Sequence, residues 1–528
     1  MLIRIAARRW GVSVAGLLFL ASVVFPPASA GAAPKAGSSP LIDAVRAGDL
    51  AAVRDLVADA GLVGEAQPDG ATALHWAAHR DDLEAADLLI AAGADVDAAN
   101  VFGATPVWLA AENGSAAMLE RLLAAGASPD AALTNGETPL MTAARTGVTA
   151  AAATLVAHGA DVHLSEGLAD QTALMWAAAV GEADIVRLLI EAGADVTRRS
   201  KRVEIPGDRR GPERATGSFT PLLFAARSGD IGTARALVEA GADVDETAGD
   251  GVTPLIVATV RGHVPLAIWL LEQGADPNAN RERFTALHRA AGSWATELTG
   301  NGPSGVATER DAEWLGAAGV PRKGRVQLVE ALLAHGADPN IPLVEGVPKV
   351  GYSNARIFGW HDTGATPFWL AARSVFLDVM RVLVEHGADP SRGLSKPEGY
   401  VATPLVPPPP EGTSPLMAAM GAGRSSKDLD VPPEEVLEAV RLILELGADP
   451  NGVDVNGSFP LFRAAGAGND ELVQALLDAG ADVNQARPDG KTALDAARGD
   501  FEGGVRLGAK RDPHESTVEL LLSRGAEG

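Results

Sequence analysis

Thr72–Asn100 reads TALHWAAHRDDLEAADLLIAAGADVDAAN. It opens on a threonine and soon reaches the double alanine Ala77-Ala78, the make-up of a short helix. Apolar residues then return at helical spacing from Leu83 to Ile90, and Gly93-Ala94-Asp95 breaks the pattern into a polar turn. The chain keeps restating this stretch. Its opening threonine recurs at Thr105, Thr138 and Thr172, after 33, 33 and 34 residues. It returns at Thr220, Thr253, Thr285, Thr366, Ser414, Phe459 and Thr492, with longer gaps where residues are inserted. Self-similarity at that period marks a stack of small units, none able to bury its apolar face alone.

Each residue type in the unit has a mechanical task. The threonine hydroxyl can accept from exposed N–H groups at the start of the first helix. Pro106, Pro139, Pro221, Pro254, Pro367 and Pro415 stand one place later, in the first turn, where no intrahelical N–H is lost. Paired alanines such as Ala77-Ala78 and Ala143-Ala144 allow close approach of helices. Val186, Leu188, Leu189 and Ile190 form the apolar face of a second helix. Gly93, with Gly126, Gly159, Gly193, Gly241, Gly274, Gly336, Gly387, Gly447 and Gly480, ends that helix in a left-handed conformation.

Thr72-Ala73-Leu74-His75-Trp76-Ala77, and the copy at Thr285, match the pattern T-P-L-H-x-A at a period of 33 with alanine in place of the proline. On these motifs the chain resembles the ankyrin-repeat family over nearly all of residues 40–528. The resemblance implies an all-α solenoid of helix-turn-helix units joined by β-hairpin-like turns. About twelve copies are counted: a divergent one from Leu41, ten clear ones, and a last one from Asp489. The first carries Asp43, Arg46, Asp49, Arg54 and Asp55, polarity suited to an end cap. By the same resemblance, first helices line a concave groove, hairpins rise along one edge, and His75 and His288 brace the hairpins.

Before the repeats stands a processing segment. Arg4, Arg8 and Arg9 precede a 16-residue mostly apolar run, Trp10–Phe25, then Pro26, Pro27 and Ala28-Ser29-Ala30. That is the form of a secretory signal peptide over 1–30, cleaved after Ala30, with 31–39 as a short linker. The run falls short of the about 20 residues a spanning helix needs, so a retained anchor is the weaker reading. The expected location is exported, periplasmic or extracellular, by a Sec-type route. The chain has no cysteine, which excludes disulfides, thiol nucleophiles and Fe–S clusters and suits an oxidising compartment such as a bacterial periplasm. The formal charge is −24; loss of three arginines with the leader takes it to about −27, which argues against nucleic-acid binding or docking on anionic lipid. The expectation is a soluble monomer with no membrane insertion after cleavage.

Six inserts interrupt the refrain. Ser200–Gly217, Leu343–Gly364 and Leu394–Gly412 fall in hairpins, whereas Ser293–Gly324, Met420–Glu434 and Gly499–Pro513 separate the two helices of a unit. The first is a basic tongue, with Arg198, Arg199, Lys201, Arg202, Arg209, Arg210 and Arg214 in or beside it. Leu394–Gly412 holds Pro407–Pro410, a stiff spacer. Ser293–Gly324 carries Trp294 and Trp314; Leu343–Gly364 carries Tyr352, Arg356, Phe358, Trp360, His361 and Asp362, with Trp369 just beyond. Aromatics beside arginine and carboxylates make up binding surfaces; the same aromatics could instead pin long loops to the solenoid. After the double alanines, Arg145, Arg227 and Arg373 occupy equivalent groove-floor slots, where they can pair with acids or grip a polar partner segment.

No phosphate loop, nucleophile elbow or HExxH is present. His75 and His79 have a metal-compatible spacing without a third ligand, and His361-Asp362 is a weak general-base candidate. The expected function is therefore a non-enzymatic, exported protein–protein interaction scaffold or regulator, without cofactor or metal. It would bind another protein through the groove and the aromatic inserts of repeats eight to ten. One alternative is a small-ligand protein or enzyme with a pocket roofed by those inserts; another is a secreted host-directed effector.

Overall fold

The computed structural model describes residues 39–205, 214–279, 284–292, 320, 322–344, 364–395, 411–421, 431–500 and 513–527. The expected signal peptide lies outside these residues. The chain divides into two units, Met1–Pro254 and Leu255–Gly528. In the first, described helices run in antiparallel-type pairs, such as Ala73–Arg80 with Leu83–Ala91, Pro106–Asn113 with Ala116–Ala124, and Pro139–Thr146 with Thr149–Ala157. In the second, Pro367–Ser374 pairs with Leu377–Glu385, and Pro460–Gly466 with Asp470–Asp478. This is the helical repeat architecture that the 33-residue period implies.

Helix starts obey the expected chemistry. Thr105 accepts from the Trp108 N–H at 3.3 Å, Thr366 from Trp369 at 3.2 Å, and Ser414 from Met417 at 3.3 Å. Five of the described second helices are capped by a side chain as well. Asp49, Asp82, Ser115, Asp230 and Asn469 each accept from the N–H three places on, at 2.7–3.2 Å. Such a cap contributes about 1 kcal/mol to its helix. After the second helix Gly93 takes φ 84°, and a side chain there would meet nothing within 4 Å. Conformation rather than crowding therefore selects glycine at this slot.

The core is built from small and branched aliphatic residues. Ala77, Ala78, Ala110, Ala111, Ala143 and Ala144 are fully buried, as are Leu89, Leu119, Leu122 and Leu155. Each buried leucine contributes about 1.5–3 kcal/mol, while the alanines set how closely neighbouring pairs stack.

Backbone bonds stitch successive hairpins together. Val101 N–H donates to Asp69, Thr134 to Phe102, Gly167 to Asn135, and Lys201 to Ala169, at 2.7–3.0 Å. In the second unit side chains add another seam. The Asn340 amide donates to the Gly387 carbonyl at 2.8 Å and accepts from the Asp389 N–H at 2.7 Å. Asn278, Asn451 and Asn484 make the same pair of bonds to the following repeat.

The basic tongue departs from the helical plan. Its strand β1, Arg202–Ile205, pairs antiparallel with β2, Arg214–Gly217, in a register that sets Arg202 opposite Gly217. Among the described residues this is the one sheet, a ribbon extending a hairpin of an otherwise helical array.

Candidate functional site

Seven of the candidate contact residues, Trp294, Trp314, Tyr352, Arg356, Phe358, Trp360 and His361, lie outside the described residues, as does Asp362. Trp369, Arg145, Arg227 and Arg373 lie within them.

Trp369 sits in the core rather than on a surface. It is 1% exposed, and its indole N–H donates to the Thr413 carbonyl at 2.9 Å. Its position explains this. Trp369 stands three places after Thr366, in the slot His75 holds after Thr72. The helix phase that turns His75 inward does the same for Trp369, so an aromatic residue there joins two repeats instead of reaching for a partner.

The arginines end their first helices half-buried. Arg145 lies 2.5 Å from Glu112 and 3.7 Å from Glu137, with its guanidinium 6.0 Å from the Trp176 ring centre. Arg227 lies over the Phe224 ring at 5.0 Å, and Arg373 over Trp369 at 5.8 Å. Arg46 covers Trp76 in the same manner, at 4.6 Å. Cation–aromatic contacts of this kind hold a guanidinium at the helix end while leaving an edge toward solvent. Burial raises the Glu137 carboxyl above its usual range, and Arg145 acts against that rise.

The histidines are braces. His75 Nε2 meets the Ala104 carbonyl at 3.0 Å, and its Nδ1 receives the Thr72 N–H at 3.1 Å. A carbonyl can only accept and an amide N–H can only donate, so the ring is neutral with its proton on Nε2. Both nitrogens are then committed, and His75 has no lone pair for a metal. His288 repeats the arrangement between Thr285 and Ile341, and burial pushes it down to about 4. Burial lowers His79 too; its ring meets Trp76 edge-on at 5.9 Å. Among the described residues no group of three His, Asp or Glu side chains could hold a metal ion, and no described helix is long and apolar enough to cross a membrane.

Sequence reasoning passed over two buried arginines. Arg289 occupies the slot of Trp76 and is 1% exposed; burial, and then the nearby Arg325 guanidinium, push it down to about 9. Arg325 donates to the carbonyls of Ala290, Gly292 and Val320 at 2.7–2.8 Å. Periodicity could not flag them, because arginine at a helix-face position ordinarily reads as solvated. Glu246, in the turn after the helix Ile231–Glu239, gave no signal either, because a carboxylate in a polar turn ordinarily reads as solvated. It accepts from the Thr220 hydroxyl, and burial pushes it up to about 7.

Comparison with known proteins places these features. The family profile described as "Ankyrin repeats (3 copies)" matches residues 41–132, 107–200, 214–298 and 434–527, and the single "Ankyrin repeat" profile matches 363–392. The chain is similar to the ankyrin repeat and KH domain-containing protein mask-1 of Caenorhabditis elegans, 28% identical over 46% of this chain and 8% of that protein. It is similar to the B-cell lymphoma 3 protein homolog of Mus musculus, 37% identical over 25% of this chain and 32% of that protein. A Danio rerio protein named for palmitoyltransferase activity, ZDHHC13, is 31% identical over 26% of this chain and 22% of its own length. The chain thus spans less than a third of the length of these relatives.

Proposed function

The chain belongs to the ankyrin-repeat family, and from that premise we propose that it is an exported scaffold or regulator that grips another protein. Ankyrin repeats are in general protein-interaction modules without enzymatic chemistry. The finer reading assigns recognition to the groove lined by the first helices and to the aromatic inserts of repeats eight to ten. The observation that supports it is the recurrence of a half-buried guanidinium at equivalent first-helix ends, Arg145 and Arg227 in the first unit and Arg373 in the second. Held by acids or aromatic rings, they present donors whose positions are set before a partner arrives, which lowers the ordering cost of association. A polar or acidic partner segment suits such guanidiniums.

Export rests on residues 1–30 alone: arginines, a short apolar run and Ala28-Ser29-Ala30. N-terminal sequencing of the secreted chain is expected to begin at Gly31; an intact Met1 in the exported fraction would refute the leader. Recognition is tested by capturing partners with the mature chain and with a version lacking 343–364. The deletion is expected to lose a partner that the full chain retains. Identical partners in identical amounts would remove the insert from the recognition surface.

A further inference from the structure

The seam asparagines of the second unit differ in the residue that follows them. Ala279, Ile341 and Gln485 come after Asn278, Asn340 and Asn484, but Gly452 comes after Asn451. The fold does not ask for glycine there. Gly452 lies outside the positive-φ region, and a Cβ on it would meet nothing closer than 3.5 Å. Three other described Asn-Gly pairs end on glycines that the backbone demands. Gly114, Gly136 and Gly457 have φ 68°, 86° and 70°, and a Cβ on them would lie 2.6, 3.1 and 2.2 Å from its nearest neighbour. A fifth pair, Asn301-Gly302, lies outside the described residues.

Glycine after asparagine has a chemical consequence. The backbone nitrogen of the following residue can attack the asparagine Cγ once it gives up its proton, and glycine, with no Cβ, leaves that approach open. A firmly hydrogen-bonded N–H resists the loss. The N–H groups of Gly114, Gly136 and Gly457 donate to Ala111, Leu133 and Asp454 at 2.8–3.0 Å. Gly452 N–H reaches the Asp449 carbonyl only at 3.4 Å, beyond the usual range. This turn is loose in the sister repeats as well, with the same bond at 3.2–3.5 Å for Ala279, Ile341 and Gln485. Among the described residues, a loose turn and an Asn-Gly pair coincide only at 451–452.

The seam bonds add to this. Asp482 N–H donates to Asn451 Oδ1 at 2.7 Å, which places a donor on the oxygen that gathers negative charge when Cγ is attacked. Asn451 Nδ2, the group that must leave, donates to the Gly480 carbonyl at 3.2 Å, the longest of the four seam donations.

We propose that Asn451-Gly452 is a self-modification site, at which the chain converts its own seam amide into an acid. The Gly452 nitrogen bonds to Asn451 Cγ as its proton passes to solvent, and the Cγ–Nδ2 bond breaks to release ammonia. Water then opens the cyclic imide at one carbonyl or the other and leaves aspartate or isoaspartate at 451. Either product has lost the amide that donates to Gly480. Each also adds a negative charge close to Asp449, whose carboxylate already accepts from the Asn451 N–H at 2.8 Å. The seam between these two repeats therefore loosens as the protein ages, whichever partner it binds.

The test holds the full chain at pH 8.5 and physiological temperature and follows its peptides by mass spectrometry with isoaspartyl methyltransferase labelling. Asn451 is expected to gain the mass of amide-to-acid conversion ahead of Asn113, Asn135 and Asn456, and more slowly at pH 6.5, where the nitrogen keeps its proton. Gly452→Ala, which the open space admits, is expected to slow the conversion about tenfold and leave the thermal midpoint unchanged. Asn451→Asp, one product made directly, is expected to exchange amide hydrogens several-fold faster than the parent over 480–484. Earlier conversion at any of the other three pairs, an alanine variant that converts at the parental rate, or an aspartate variant with parental exchange would overturn the proposal.

Discussion

The indole N–H of Trp369 donates to the Thr413 carbonyl at 2.9 Å, and so does for its repeat what His75 does for Ala104 at 3.0 Å. Each donor stands three places after its opening threonine, and each acceptor directly precedes the next unit's opening residue. Trp369 is thus a joint between repeats. Trp369→Ala is expected to cost about 3–5 kcal/mol, the usual range for truncating a buried large aromatic. Trp369→His keeps a donor in the slot and is expected to cost less than Trp369→Phe, which has none. Urea denaturation followed by circular dichroism ranks the three; a phenylalanine variant as stable as the histidine variant would deny the bond its part.

A second expectation concerns acid. His288 is neutral and buried in the folded chain, held down to about 4, whereas in the unfolded chain it gains a proton below about 6.5. The unfolded state therefore binds more protons between these values, and stability falls as pH drops through that window. The contribution is fully present above about 6.5. His75 acts in the same direction, burial lowering it first. His288→Gln is expected to lose about 1–3 kcal/mol at pH 7, from its two hydrogen bonds, and to show a flatter urea midpoint from pH 6.5 to 4. A variant as steep as the parent would place the titration elsewhere.

Much of the unit was legible before any coordinates. Thr105, Thr366 and Ser414 cap as a threonine or serine before a helical run should, because capping is local chemistry. Gly93 turns left-handed for the same local reason. What stayed hidden depends on helix phase and on the next repeat. Trp369 looked like a contact residue because its neighbours in sequence are insert aromatics; only its phase shows that it points inward. The Asn340 seam needs the position of Gly387 in the following unit, which no single repeat contains. β1 and β2 escaped because Arg202–Ile205 reads as a charged loop, and its partner strand begins only at Arg214. The candidate contacts from Trp294 to His361 lie outside the described residues; of the candidates, Trp369, Arg145, Arg227 and Arg373 lie within them.

Arg145 ties the end of its first helix to the buried Glu137. Glu137 is buried, accepts from the Thr142 hydroxyl at 2.9 Å, and is raised by its burial while Arg145 holds it down. Removing the guanidinium leaves that carboxylate without its cation. Arg145→Met is expected to destabilise by about 1–3 kcal/mol at pH 8, in the range for breaking a partly buried pair. A carboxyl raised in the folded state favours folding at low pH, and the benefit is lost as pH climbs through its folded value. Raising it further steepens that loss, so the gap between variant and parent should be smaller at pH 4.5 than at pH 8. Equal gaps at both values would show that Glu137 does not sense Arg145.

Asp130 occupies, in the first unit, the slot that asparagine fills at Asn278, Asn340, Asn451 and Asn484. It receives the Asp161 N–H at 2.9 Å, as Asn340 receives that of Asp389. An ionised carboxylate cannot return the second bond, the one Asn340 donates to the Gly387 carbonyl. Asp130→Asn is therefore expected to gain the matching bond to Gly159 and about 0.5–1.5 kcal/mol. Burial raises the Asp130 carboxyl, and Asp161 raises it further against the hydrogen bond that lowers it. The cost of its charge is present above its folded pKa and disappears as the group protonates, when the acid can donate by itself. The gain from asparagine should accordingly be largest near pH 7 and shrink toward pH 3, as read from urea midpoints. Asp97→Asn, with Ser128 N–H donating to Asp97 at 2.8 Å, is expected to move in the same direction. A gain that is absent at neutral pH would mean that the Gly159 carbonyl is out of reach of this side chain.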